Sequence, residues 1–129
     1  MSEPPILVVD DAASILLTKV EILHLVGYSV ESATNGAEAL EVVARRSPSL
    51  VLLDMRMPVL DGWGFARSLK ERGIMLPIVV MTAAQDAGRW AREIGAMAYL
   101  AKPFEIPELL ETVERVRQGF GHSRENTSG

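Results

Sequence analysis

Short apolar, β-branched runs alternate along this chain with longer stretches in which apolar residues recur every three or four positions. That alternation is the pattern of consecutive βαβ units and a parallel sheet. The predicted strands are Ile6 to Val9, Ser29 to Ala33, Leu50 to Leu53, Ile78 to Met81 and Ala98 to Ala101. "ILVV", "LVLL" and "IVVM" are apolar throughout, as strands covered on both faces should be, whereas "SVESA" alternates and suits an edge.

The intervening periodicity predicts five helices. The first spans about Ala13 to Val26, with Leu16, Val20, Leu23 and Val26 on one stripe, and stops at Gly27. Asn35, followed three residues later by Glu38, reads as a capping box for a second helix ending near Ser47-Pro48. A third begins near Asp61, itself read as its cap, carries Phe65 and Leu69, and closes at Gly73. The fourth, about Gln85 to Ile94, is interrupted by Gly88 at a cost of ~1 kcal/mol relative to Ala. The fifth has Pro107 in its first turn and points Leu109, Leu110, Val113 and Val116 inward. A lead of residues 1–5, one domain over 6–119 and a flexible tail over 120–129, polar and aperiodic, complete the organisation.

Composition narrows the picture. A length of 129 residues with 48% hydrophobic and 23% charged residues fits one globular domain with its own core. The absence of cysteine excludes a disulfide framework and thiolate metal sites. The start "MSEPPILVVDD" lacks a basic n-region, and no apolar stretch approaches the roughly 20 residues of a membrane span, so a cytoplasmic protein without membrane insertion is expected. A net charge of −4 argues against a direct nucleic-acid surface.

The chemistry sits in the first polar residues after every predicted strand but the second, which contributes nothing comparable. These are Asp10 and Asp11 after the first, Asp54 after the third, Thr82 after the fourth and Lys102 after the fifth. In an open α/β sheet the functional crevice lies beyond the carboxyl ends of the strands, where strand order reverses. With order 2-1-3-4-5 the first and third strands are neighbours, roughly 4.8 Å apart, and three carboxylates converge. Lys102 offsets one of three negative charges, so the cluster calls for about two more positive charges. Oxygen donors without His or Cys favour a hard divalent cation, and a hydroxyl with an ammonium at the same rim can bind phosphoryl oxygens. Phosphoryl transfer onto a carboxylate is the chemistry this predicts.

The acid pair in "VVDD", the stretch "LLDMRMPVLDG", "VVMTA" and "YLAKPF", in this order and at these separations, resemble a response-regulator receiver domain of the CheY-like type from Ile6 to about Gln118. The resemblance implies a flavodoxin-like, doubly wound five-stranded sheet with five helices. It implies that Asp54 accepts a phosphoryl group from a histidine kinase or a histidine phosphotransfer protein. Mg²⁺, or Mn²⁺, would be bound by Asp11 directly, by Asp10 largely through water, by Asp54 and by the backbone carbonyl of Arg56. Thr82 and Lys102 would bind the phosphoryl oxygens, and the Lys102-Pro103 bond would be cis. A switch is implied as well: Thr82 moves toward the phosphoryl group and Tyr99 rotates into the vacated space. The surface of the fourth helix, fifth strand and fifth helix then changes for a downstream protein target. Gly88 is expected to loosen the fourth helix for that movement.

The resemblance also places Arg56 and Ala84 where they would tune dephosphorylation. Trp63 is expected to cover the site; Trp90 either anchors an interface or packs inward. Met55 and Met57 are read as loop packing, and His24 as no phosphodonor. The expected protein is a stand-alone phosphoacceptor, monomeric or weakly dimeric, and not a classical enzyme. The alternative is the receiver portion of a longer regulator with a DNA-binding or enzymatic output domain. Haloacid-dehalogenase phosphatases are disfavoured because "VVDDAAS" lacks their Asp-x-Asp arrangement, and flavodoxins because two aspartates would repel a flavin phosphate.

Overall fold

The computed structural model describes residues 4–126, with side chains described for residues 4–119; parts of the expected lead (1–5) and tail (120–129) lie outside the described residues. The elements run β1 (Ile6–Val9), α1 (Ala13–Leu25), β2 (Val30–Ala33), α2 (Gly36–Arg45), β3 (Leu50–Asp54), α3 (Gly62–Glu71), β4 (Ile78–Ala83), α4 (Ala84–Ile94), β5 (Ala98–Lys102) and α5 (Ile106–Asn126). All strand pairs are parallel, in the order β2-β1-β3-β4-β5, the doubly wound arrangement expected. Among the described residues no helix is long and apolar enough to cross a membrane.

Strand alternation divides the core into two layers. Leu7, Val9, Val51, Leu53, Ile78 and Val80 face one side with α2, α3 and α4. Ile6, Val8, Leu50, Leu52, Val79 and Met81 face the other with α1 and α5. Both faces of β1 and β3 are buried along their whole length, which is why their sequences show no alternation.

Local signals act largely as the sequence indicates. Asn35 caps α2 by accepting from the Glu38 N–H at 2.8 Å. Glu38 reaches back to the Thr34 N–H at 2.6 Å, one residue before the cap rather than on it. Asp61 caps α3 through the Gly64 N–H at 2.9 Å. On α1 the buried residues are Leu16, Lys19 and Leu23, while Val26 is exposed and Val20 half-buried; the stripe is rotated from the one expected. The backbone of α5 continues to Asn126, past Gly119 where apolar periodicity stops. Once a helix is nucleated, each further residue adds a hydrogen bond without needing a packed face.

The connection from β3 to α3 is closed by small residues. A β-carbon at Gly62 would stand 2.5 Å from Met55 Sδ and 2.8 Å from Met55 Cα, so only glycine lets this loop fold back onto the strand end. Its N–H donates to the Met55 carbonyl at 3.0 Å. Met55 is fully buried and Met57 packs against the core, in line with their reading as loop packing. Val59 in the same loop has φ 71° and is 81% exposed. A left-handed conformation costs an L-residue roughly 1–2 kcal/mol, whereas glycine adopts it freely but loses roughly 0.5–1 kcal/mol more chain entropy. Val59→Gly is therefore expected to stabilise the fold by about 0.5–1 kcal/mol, read as a raised urea midpoint; a lowered midpoint contradicts it.

Candidate functional site

The functional residues are the last residues of strands, or the first beyond them. Val9 pairs with Leu53, so Asp10 and Asp54 leave the sheet side by side. Asp54 is itself in the ladder opposite Met81, and Lys102 opposite Ala83. Asp10, Asp54 and Lys102 share the alternation of Val8, Leu52 and Leu100, the residues facing α1 and α5. Their side chains are thereby delivered to one rim.

Carboxylate oxygens of Asp10, Asp11 and Asp54 lie within 4.8 Å of one another. Asp10 and Asp54 are buried and Asp11 is exposed, so the cluster opens to solvent on one side. Lys102 Nζ stands 3.8 Å from Asp54 Oδ2, with its side chain 35% exposed. The Arg56 N–H donates to Asp54 Oδ1 at 3.3 Å. This oxygen-only donor set with a solvent opening fits a hard divalent cation. Thr82, buried at the end of β4, is one residue beyond the partner of Asp54.

Sequence reading missed Lys19. Its Nζ donates to Asp10 Oδ2 at 2.8 Å, and the side chain is only 7% exposed. The ammonium also lies over the Phe104 ring, 5.7 Å from its centroid. The signal was available: position 19 is three residues after Leu16 and four before Leu23, on the inward stripe of α1. With Lys19 included, the cluster's formal charge is −1, not the −2 left by Lys102 alone. Asp10 does not cap α1: its Oδ1 accepts from the N–H of Ala12, the residue that precedes the helix.

Asp54 has its pKa raised above the ordinary carboxylate value, first by burial and also by the charges of Asp10 and Asp11; Lys102 and the Arg56 N–H pull the other way without cancelling it. The folded state thus holds the Asp54 proton more tightly than the unfolded chain does. This group's stabilising contribution is present below the ordinary carboxylate pKa and is lost as pH rises through the raised value. At neutral pH without metal, the ionised side chain is a burden on the fold. Asp54→Asn is therefore expected to raise the urea midpoint in EDTA and to flatten its decline from acid to neutral pH. An unchanged midpoint and profile would contradict this.

Other expectations resolve away from the rim. Trp90 packs inward and is 6% exposed, so it is no exposed interface anchor. Trp63 turns to α4 rather than over the carboxylates, meeting Trp90 edge-on at 4.7 Å between centroids and donating to Glu93 at 3.0 Å. Trp63 packs against the apolar cluster that holds Phe65, Leu69, Trp90 and Ala91, so its indole is taken up by the α3–α4 seam. The Arg56 guanidinium rests over Trp90 at 5.2 Å. Tyr99 is 51% exposed, its ring 3.6 Å from where a β-carbon on Gly88 would stand. Lys102-Pro103 is cis.

Comparison with known proteins agrees with this geometry. The family described as "Response regulator receiver domain" matches residues 6–114. Sporulation initiation phosphotransferase F of Bacillus subtilis is 35% identical over 117 residues, spanning 89% of this chain and 94% of that protein. The DNA-binding transcriptional regulator NtrC of Escherichia coli is 42% identical over 110 residues, 84% of this chain but only 24% of that protein, so the chain spans about a quarter of that relative's length. Among solved structures, chemotaxis protein CheY4 of Vibrio cholerae superposes with a TM-score of 0.80 at 30% identity, covering 89% of this chain and 99% of that one. A fold, a carboxylate rim and a sequence match that coincide over the same residues make this chain a member of the response regulator receiver domain family.

Proposed function

We propose that this chain is a phosphoacceptor that takes a phosphoryl group onto Asp54 from the phosphohistidine of a histidine kinase or histidine phosphotransfer protein. The observation that carries the reading is the meeting of three carboxylates within 4.8 Å with Lys102 set against Asp54. In the transfer an Asp54 oxygen bonds to phosphorus as the P–N bond of the donor breaks and the imidazole leaves. The Arg56 N–H on Oδ1 holds the carboxylate plane, leaving Oδ2, on the Lys102 side, to attack. Lys102 and the Thr82 hydroxyl are assigned to the phosphoryl oxygens, whose charge they stabilise as the group arrives. Asp11, Asp54, the backbone carbonyl of Arg56 and, through water, Asp10 fit Mg²⁺ or Mn²⁺, which when bound would screen the acids from the incoming anion.

The output is assigned to the surface of α4, β5 and α5. Thr82 is to move toward the phosphoryl group while Tyr99, now half exposed beside Gly88, turns inward. A partner that prefers the turned form then binds better, which is all that a population shift requires. Ala84, exposed at the start of α4, and Arg56 are assigned to the lifetime of the acyl phosphate. This makes the chain a signalling module, not a classical enzyme. The reading places it in the cytoplasm as a monomer or weak dimer.

Incubation with acetyl phosphate tests the chemistry. One hydroxylamine-sensitive phosphoryl group per chain, gained with Mg²⁺ and not in EDTA, is the expected result; no gain under either condition overturns it. A second reading, the receiver portion of a longer regulator, is favoured by the match to a quarter of NtrC. The two share the Asp54 chemistry and differ in what the altered surface contacts.

A further inference from the structure

Both oxygens of Asp10 are already committed: Oδ1 accepts from the Ala12 N–H at 3.0 Å and Oδ2 from Lys19 Nζ at 2.8 Å. Asp10 and Lys19 are both buried, so water screens their attraction little. A buried ammonium is retained only where an opposite charge meets it, and a buried carboxylate likewise. The ammonium also lies over the Phe104 ring, a second favourable contact for the buried charge. The pair therefore sits inside the acidic cluster, tethered to α1.

From this we infer that Lys19 is a built-in counter-ion of the acidic site: it holds Asp10 in place in the metal-free protein and keeps affinity for the divalent cation low. The inference rests on the reading of Asp10, Asp11 and Asp54 as a metal site and names the residue of this chain that sets its affinity. Even at the dielectric of bulk water, a unit charge about 6 Å from a divalent ion is worth about tenfold in binding. Lys19 is a positioning residue: it holds Asp10 and acts on the ion by its charge, without touching the reacting atoms. Lys102, partly exposed and set on Asp54, can meet an incoming anion; Lys19 is enclosed and bonded to Asp10.

The test is Mn²⁺ binding followed by electron paramagnetic resonance of the free ion, with Mg²⁺ as competitor, together with melting curves in EDTA and in Mg²⁺. Lys19→Met and Lys19→Gln remove the charge, Gln keeping a donor for Asp10, and Lys19→Arg retains it. The neutral variants are expected to bind Mn²⁺ about tenfold more tightly than the parent, to melt lower in EDTA and to gain more from Mg²⁺. Lys19→Arg should bind like the parent. Should Lys19→Met fold only with metal, the cation has taken over the ammonium's part and the inference stands. Equal or weaker binding by Lys19→Gln overturns the role of Lys19 and leaves the metal site intact. No saturable binding by the parent or any variant sinks the metal site, and this inference with it.

Discussion

Asp54→Asn is expected to take up no phosphoryl group from acetyl phosphate and Mg²⁺, where the parent gains one per chain by intact mass. The amide has the shape of the carboxylate, so its oxygen can still accept from the Arg56 N–H. What it lacks is the negative charge that makes the oxygen a nucleophile toward phosphorus. Burial and the neighbouring acids already oppose ionisation at this position, so the neutral amide is tolerated by the metal-free fold. Loss of uptake would therefore report chemistry and not unfolding, and the urea midpoint of Asp54→Asn in EDTA supplies the control. Undiminished, hydroxylamine-sensitive uptake by Asp54→Asn would move the acceptor to another residue and refute the assignment.

Lys102→Met should slow phosphorylation by about 10²–10³-fold, the usual cost of deleting one preorganised donor to developing negative charge. Lys102 is the cation 3.8 Å from Asp54, and its partly exposed ammonium can swing to an arriving phosphoryl oxygen. Removing it makes the rim more negative, so binding of Mg²⁺ should be unchanged or tighter. Slower transfer with undiminished metal affinity is the signature that separates a lost phosphoryl contact from a damaged metal site. A rate within about twofold of the parent, measured at saturating Mg²⁺, would remove Lys102 from the transfer step.

How much of this was legible in the sequence depends on which interaction sets each feature. The runs Ile6–Val9, Leu50–Leu53 and Ile78–Met81 of β1, β3 and β4 are apolar at every position because both faces are covered, and that is visible without coordinates. The caps at Asn35 and Asp61 are contacts within four residues and are equally local. The rim acids were found because each follows an apolar strand, and parallel strands all end at one edge. Trp90 and Trp63 illustrate the opposite case. Their spacing does not say whether α4 turns its indole to solvent, and only the α3–α4 packing, with Arg56 laid across Trp90, decides it.

Lys19 marks the boundary most clearly. Its position on the inward stripe of α1 was readable, but lysines on such stripes commonly bend their ammonium out to water. Whether this one turns inward depends on Asp10 waiting at the end of β1 and on the Phe104 ring beneath the ammonium, residues nine and eighty-five positions away. Periodicity and local capping determined the elements, their alternation as βαβ units and the identity of the acids, because those rest on covalent spacing and nearest-neighbour hydrogen bonds. The tertiary structure alone decided the rim's charge balance and the direction of each long side chain, because Coulomb and packing forces act through space without regard to sequence separation.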